Sequence, residues 1–205
     1  MLLPALMLTA AALAAPTLST DRDCYAAGRD TITITGSGFA PSAPVTIQLT
    51  GNDEVLTSAA AADATGALDT ELTAPDLKDF DADSSAIPVA LDTADGATAG
   101  FELTAWDGTL SGYRTTIRRG QRLRFETTGW TGANELFLHY VRGGKTVFTQ
   151  RLGSTRGACG DLTTSFKAFK FRGAKLGTYN LRISPNRTFT NTDRWFGFKR
   201  TRLVA

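Results

Sequence analysis

Histidine is nearly missing from this chain, with one residue, His139, in 205. A zinc site built on several histidines is therefore excluded. The only two cysteines, Cys24 and Cys159, stand too far apart to give a zinc-ligand spacing. A Ser-His-Asp triad would have to run through His139, which lies between Leu138 and Tyr140 and reads as a packed strand histidine. No Gly-x-Ser-x-Gly elbow occurs. Gly36-Ser37-Gly38 is not followed by Gly-Lys-Ser, so it is no phosphate loop. Asp79-Phe80-Asp81-Ala82-Asp83-Ser84 begins like a calcium loop, but Ser84 replaces the required glycine and Ala90 the distal glutamate. No catalytic residue, metal site or cofactor is expected. The one enzyme reading left open is a pair of dispersed carboxylates, which leaves no local motif.

Long hydrophobic runs are also missing after residue 15, so nothing downstream reads as a membrane-spanning helix. The first fifteen residues, Met1 to Ala15, are apolar, uncharged and too short to span a bilayer. Their small-x-small ending, Ala12-Leu13-Ala14, marks a secretory signal peptide over 1–15. The expected location is secreted or associated with the cell envelope. In that oxidising setting Cys24 and Cys159 are expected to pair, the alternative being two separately buried thiols.

What is abundant is alternation. Thr31-Ile32-Thr33-Ile34-Thr35 and Val45-Thr46-Ile47-Gln48-Leu49 repeat with a period of two, the mark of half-buried strands. So do Ile87 to Leu91, Phe101 to Leu103, Leu123 to Phe125, Leu136 to Tyr140, Thr146 to Phe148 and Tyr179 to Ile183. Glycine- and proline-containing turns separate them. Shifting the chain by 91 positions lays Ile32 on Leu123, Ile34 on Phe125, Gly38 on Gly129 and Phe39 on Trp130. The same shift lays Val45 on Leu136, Ile47 on Leu138 and Leu49 on Tyr140. A repeat of this length predicts an all-β chain of two consecutive immunoglobulin-like β-sandwiches, over 16–105 and 106–205. Gly177-Thr178-Tyr179 reads as the turn and tyrosine that open a penultimate sandwich strand.

Gly36-Ser37-Gly38-Phe39-Ala40-Pro41 followed by Val45-Thr46-Ile47 resembles the first half of bacterial immunoglobulin-like domains of secreted actinobacterial proteins. Leu138-His139-Tyr140-Val141, Arg151-Leu152-Gly153 and Gly157-Ala158-Cys159-Gly160 look like a domain that often follows them. The resemblance implies the sandwich fold and export, and it carries no catalytic residues.

Charge divides the two halves. Residues 16–105 hold fifteen acidic and three basic residues, a net of −12; residues 106–205 hold five acidic and nineteen basic, a net of +14. Three clusters stand out as candidate anion-binding residues. They are Arg118, Arg119, Arg122 and Arg124; Lys167, Lys170, Arg172 and Lys175; and Arg194, Lys199, Arg200 and Arg202. Trp195, Phe196 and Phe198 interleave the last cluster, either as stacking platforms or as the core face of a final strand. The expected role is a non-catalytic binding or spacer module, its basic half holding an anionic cell-wall polymer or another envelope protein; nucleic acid is the less favoured partner. The alternative is a rigid scaffold in which the opposed charges dock one domain on the other.

Overall fold

The alternating segments become strands whose inward residues vanish from solvent. In β3 (Thr31–Ser37) Ile32 and Ile34 are fully buried, and in β4 (Pro44–Gly51) Val45, Ile47 and Leu49 point the same way. Each such side chain contributes about 1.5–3 kcal/mol on burial. These strands belong to a computed structural model that describes residues 15–204; the segment expected to be a signal peptide lies, up to Ala14, outside the described residues.

Six further strands complete the first sandwich: β1 (Thr17–Thr20), β2 (Cys24–Ala26), β5 (Glu54–Ala61), β6 (Leu68–Thr73), β7 (Ala86–Thr93) and β8 (Thr98–Thr104). A 3-10 turn, Leu77–Phe80, buries Phe80 beneath them. The second sandwich comprises β9 (Asp107–Ser111), β10 (Thr116–Arg118), β11 (Arg122–Thr128), β12 (Glu135–Arg142), β13 (Lys145–Ser154), β14 (Leu162–Lys167), β15 (Gly177–Ser184) and β16 (Phe196–Val204).

The two topologies are the same. A three-stranded sheet, β1-β3-β6, faces a five-stranded one, β2-β8-β7-β4-β5; in the second half β9-β11-β14 faces β10-β16-β15-β12-β13. Each five-stranded sheet ends in a short parallel pair, β2 with β8 and β10 with β16, and all other pairings are antiparallel. Each sandwich closes on its own core: one cluster runs from Leu18 to Leu103, the other from Leu110 to Leu203. The chain is thus all-β, two immunoglobulin-like sandwiches end to end.

The repeat has a stereochemical lock. Gly38 and Gly129 take φ of 84° and 80°, which turns the chain back so that Phe39 and Trp130 cover their cores. A second glycine secures each ring residue from the other side. Gly66 and Gly160 also have positive φ, and a Cβ there would run into the carbonyl oxygen of Phe39 or Trp130. The ungapped shift of 91 does not pair these two glycines, because β13 has ten residues where β5 has eight and the stretch from strand end to glycine is one residue longer. Tyr179 makes the expected corner: its hydroxyl donates to the Lys175 carbonyl (2.7 Å) and accepts from the Lys175 N–H (3.1 Å).

One strand departs from simple alternation. β12 is buried on both faces, since the 185–195 loop folds over its outer side. His139 sits there with Phe189 5.2 Å away, its Nδ1 3.0 Å from Thr149 Oγ1 and its Nε2 3.0 Å from Ser184 Oγ. Burial pulls its pKa below the ordinary 6.5, so the ring is neutral and structural.

Candidate functional site

The two sandwiches meet through the turn that follows β2. Asp30, its side chain 9% exposed, is the centre. Oδ2 accepts the Ala26 N–H (2.8 Å), the Thr131 hydroxyl and Arg22 Nη1 (3.4 Å). Oδ1 accepts Arg194 Nη1 at 2.9 Å, and Arg194 Nη2 continues to the Gly129 carbonyl at 2.7 Å. Burial draws Arg194 below the usual arginine range, opposed by the Asp30 charge. Nearby, Arg29 lies 3.7 Å over the Trp106 indole, and Trp106 meets Trp130 edge-on at 5.7 Å. The connection itself has no slack: Gly129 gives up its side chain to the backbone of Ala105 and Trp106.

Cys24 and Cys159 form the expected disulfide beside this network, with their Cα atoms 5.1 Å apart. Both sulfurs belong to buried residues. The second sandwich thus spends its loop end on the first. The turn after β11 brings Thr131, the 155–161 segment brings Cys159, and the 185–195 loop brings Arg194.

This placement bears on four readings. Arg194 is not part of a free basic face; a carboxylate from the other half of the chain claims it. Arg124 is paired along its own strand with Glu126. The opposed charges of the two halves do not meet in bulk, for among the described residues Arg194–Asp30 is the one ion pair that crosses. The aromatic residues of the last strand face inward, Phe196 against Trp106 and Phe198 against Tyr113, so they offer no stacking platform. Arg202 is exposed beside β10, and the side chains of Lys199 and Arg200 lie outside the description.

The first two clusters, however, become one. The 118–122 turn bonds to the strand end at 167–168: Gly120 N–H reaches the Ala168 carbonyl at 2.7 Å, and Arg122 pairs with Lys167 across the ladder. Arg119 Nη2 donates to the Ala174 carbonyl at 2.6 Å, which draws in the loop carrying Lys170, Arg172 and Lys175. Arg142 and Lys145, at the ends of the Gly143-Gly144 turn, join the same end of the sandwich, opposite the first module. The sequence reading passed over both. The signal was a tight turn flanked by two cations. None of the five carboxylates of residues 106–205 sits here. Asp107, Glu135, Asp161 and Asp193 flank the loops at the other end, and Glu126 is held by Arg124.

A cleft opens in this basic end, about 600 Å³, lined by Arg142, Phe148, Phe171, Arg172, Lys175 and Tyr179 among others. Phe148 stacks on Phe171 at 4.4 Å and remains 37% exposed. Val147 and Leu176, also exposed, stand at the same end.

No helix among the described residues is long and apolar enough to cross a membrane, and no group of three or more potential metal ligands occurs among them. No protein-family profile matches the chain, and no curated protein sequence matches it. Solved structures give distant likeness only. The trypsin-activated alpha-2-macroglobulin of Escherichia coli is 14% identical, with a TM-score of 0.31 over 82% of this chain and 14% of that one. A tetra-tandem repeat in the extending region of a large adhesion protein is 18% identical, with a TM-score of 0.27 over 90% of this chain and 49% of that one. This chain therefore spans less than half the length of either. The Yersinia pseudotuberculosis adhesin InvE is 14% identical, with a TM-score of 0.30 over 93% and 59% of the two chains.

Proposed function

We propose that this chain is an exported, non-catalytic module pair of the cell envelope, a rigid acidic spacer carrying a basic sandwich whose far end holds an anionic envelope polymer. One observation carries the reading. Arg118, Arg119, Arg122, Arg142, Lys145, Lys167, Lys170, Arg172 and Lys175 gather at one end with no carboxylate among them, and none takes part in an ion pair among the described residues. Unpaired like charges repel, at a cost in stability that a structural role alone would not require; an anionic partner relieves it. The interface supports the spacer part, because a disulfide and the Asp30 network fix the angle at which that end is presented. A ligand-free rigid scaffold is the second reading, favoured by the same interface.

Binding of the mature chain to cell-wall sacculi bearing anionic polymers separates the two. Affinity should fall steeply as salt rises, since Debye screening shortens to about 8 Å at physiological ionic strength. Reversing Arg118, Lys167 and Lys170 to Glu together should weaken binding at least tenfold, while Arg187→Glu on the exposed 185–195 loop changes it little. Salt-insensitive binding, or none, leaves the scaffold reading.

A further inference from the structure

We infer that the cleft between β12–β13 and the 168–176 loop is a saccharide site, taking a sugar ring that bears a carboxylate or phosphate. The inference rests on the proposed polymer binding and names where its repeating unit sits.

The floor and the rim of the cleft have different chemistry. Phe148, Phe171 and Tyr179 form the floor, the first two stacked at 4.4 Å with their planes 16° apart. Arg142, Arg172 and Lys175 form the rim. The parts hold each other in place. The Arg142 guanidinium lies 5.5 Å from the Tyr179 ring centre, and the Tyr179 hydroxyl is bonded to the Lys175 backbone. Site geometry is therefore set before any ligand arrives, which lowers the entropy cost of binding.

Apolar exposure is concentrated here. Of the four large hydrophobic residues exposed among those described, Val147, Phe148 and Leu176 belong to this end. Exposed apolar surface ringed by charge marks a binding surface. A charged sugar matches both parts: its C–H face lies on an aromatic ring, while its anionic group takes a bidentate hydrogen bond from a guanidinium. The volume of about 600 Å³ is that of a small-ligand pocket. A nucleic-acid base would use the same exposed ring of Phe148, so the test includes poly(dT) as the rival occupant.

The test uses the full mature chain and three polyanions in isothermal titration: polygalacturonate, poly(glycerol phosphate) and poly(dT). The first has charge and a ring, the second charge without a ring, the third charge with bases. Phe148→Ala should weaken polygalacturonate binding about tenfold, the scale of one lost stacking contact. It should leave poly(glycerol phosphate) within about twofold. Arg142→Gln should weaken polygalacturonate too, and thermal melts of both variants check that the fold is intact. Unchanged polygalacturonate affinity in Phe148→Ala overturns the site, while a loss in the triple charge reversal alone still upholds the polymer reading. Poly(dT) binding that is tighter and falls with Phe148→Ala overturns the sugar assignment. Binding to none of the three removes both proposals.

Discussion

Replacing Asp30 with alanine removes the hub of the contact between the sandwiches. Its carboxylate accepts four hydrogen bonds and is 9% exposed, so the loss strands Arg194, whose side chain is only 27% exposed and whose Nε already has no hydrogen-bond partner. Breaking a buried ion pair from one side costs about 3–5 kcal/mol, because the remaining charge stays desolvated. Here Arg22, 33% exposed, and the rim of Arg194 keep some water, which brings the expectation to about 2–4 kcal/mol. Guanidinium unfolding of the oxidised protein measures it. A double-mutant cycle sharpens the reasoning. Arg194→Met in an Asp30→Asn background should recover part of the loss, since an apolar pair tolerates burial. A cost below about 1 kcal/mol for Asp30→Ala, or strict additivity in the cycle, refutes the account of Asp30 as an interface hub.

Gly160→Ala should cost about 1–3 kcal/mol beyond the strain of positive φ alone, since its Cβ meets the Trp130 carbonyl; Gly173→Ala, with φ +83° and open space around it, should show only that strain, and chemical denaturation of the two compares them. His139 should make stability pH-dependent. Its folded pKa lies below 6.5, so the unfolded chain binds the proton first, and stability is full above pH 6.5 and drops as pH falls below it; denaturant midpoints across that window should flatten in His139→Gln. Removing the disulfide as Cys24→Ser with Cys159→Ser should cost about 5 kcal/mol by the chain-entropy estimate for a separation of 135, read from calorimetric or denaturant unfolding of the two forms; an unchanged midpoint would mean that the unfolded chain is already held compact.

The strands most legible in the sequence are those with one wet and one dry face. Thr31 to Thr35 and Val45 to Leu49 announce themselves because each carries β-branched or large apolar residues at alternate positions. β5 does not, since Glu54–Ala61 is an edge strand with three alanines and little burial, so its pattern carries no hydrophobic signal. β12 hides its orientation for the opposite reason: both faces are buried, and alternation only shows one of them. At the site, Arg118 to Arg122 and Lys167 to Lys175 were visible as local runs. That they adjoin is a property of the β11–β14 ladder, and no local pattern encodes it. Arg194 was misread because its partner, Asp30, lies 164 residues away. Phe148 went unnoticed as a site residue because a strand aromatic is ordinarily core; it shares the inner face with Tyr140, yet lies where the sandwich end leaves it 37% exposed.

The cross-module disulfide also rewrites the mechanics of the chain. Tension applied along the backbone on the outer flanks of the two cysteines enters at Cys24, crosses the sulfurs and leaves at Cys159, so residues 25–158 bear no load. At about 3.3–3.6 Å per extended residue, that bypass withholds roughly 450 Å of extensible length for a separation of 135 residues. Most of the first sandwich, together with β9 to β13, could not be drawn out by force. The segments left in the path are β1 and the stretch from β14 to β16, whose last strand lies parallel to β10 and has to slide past it rather than unzip.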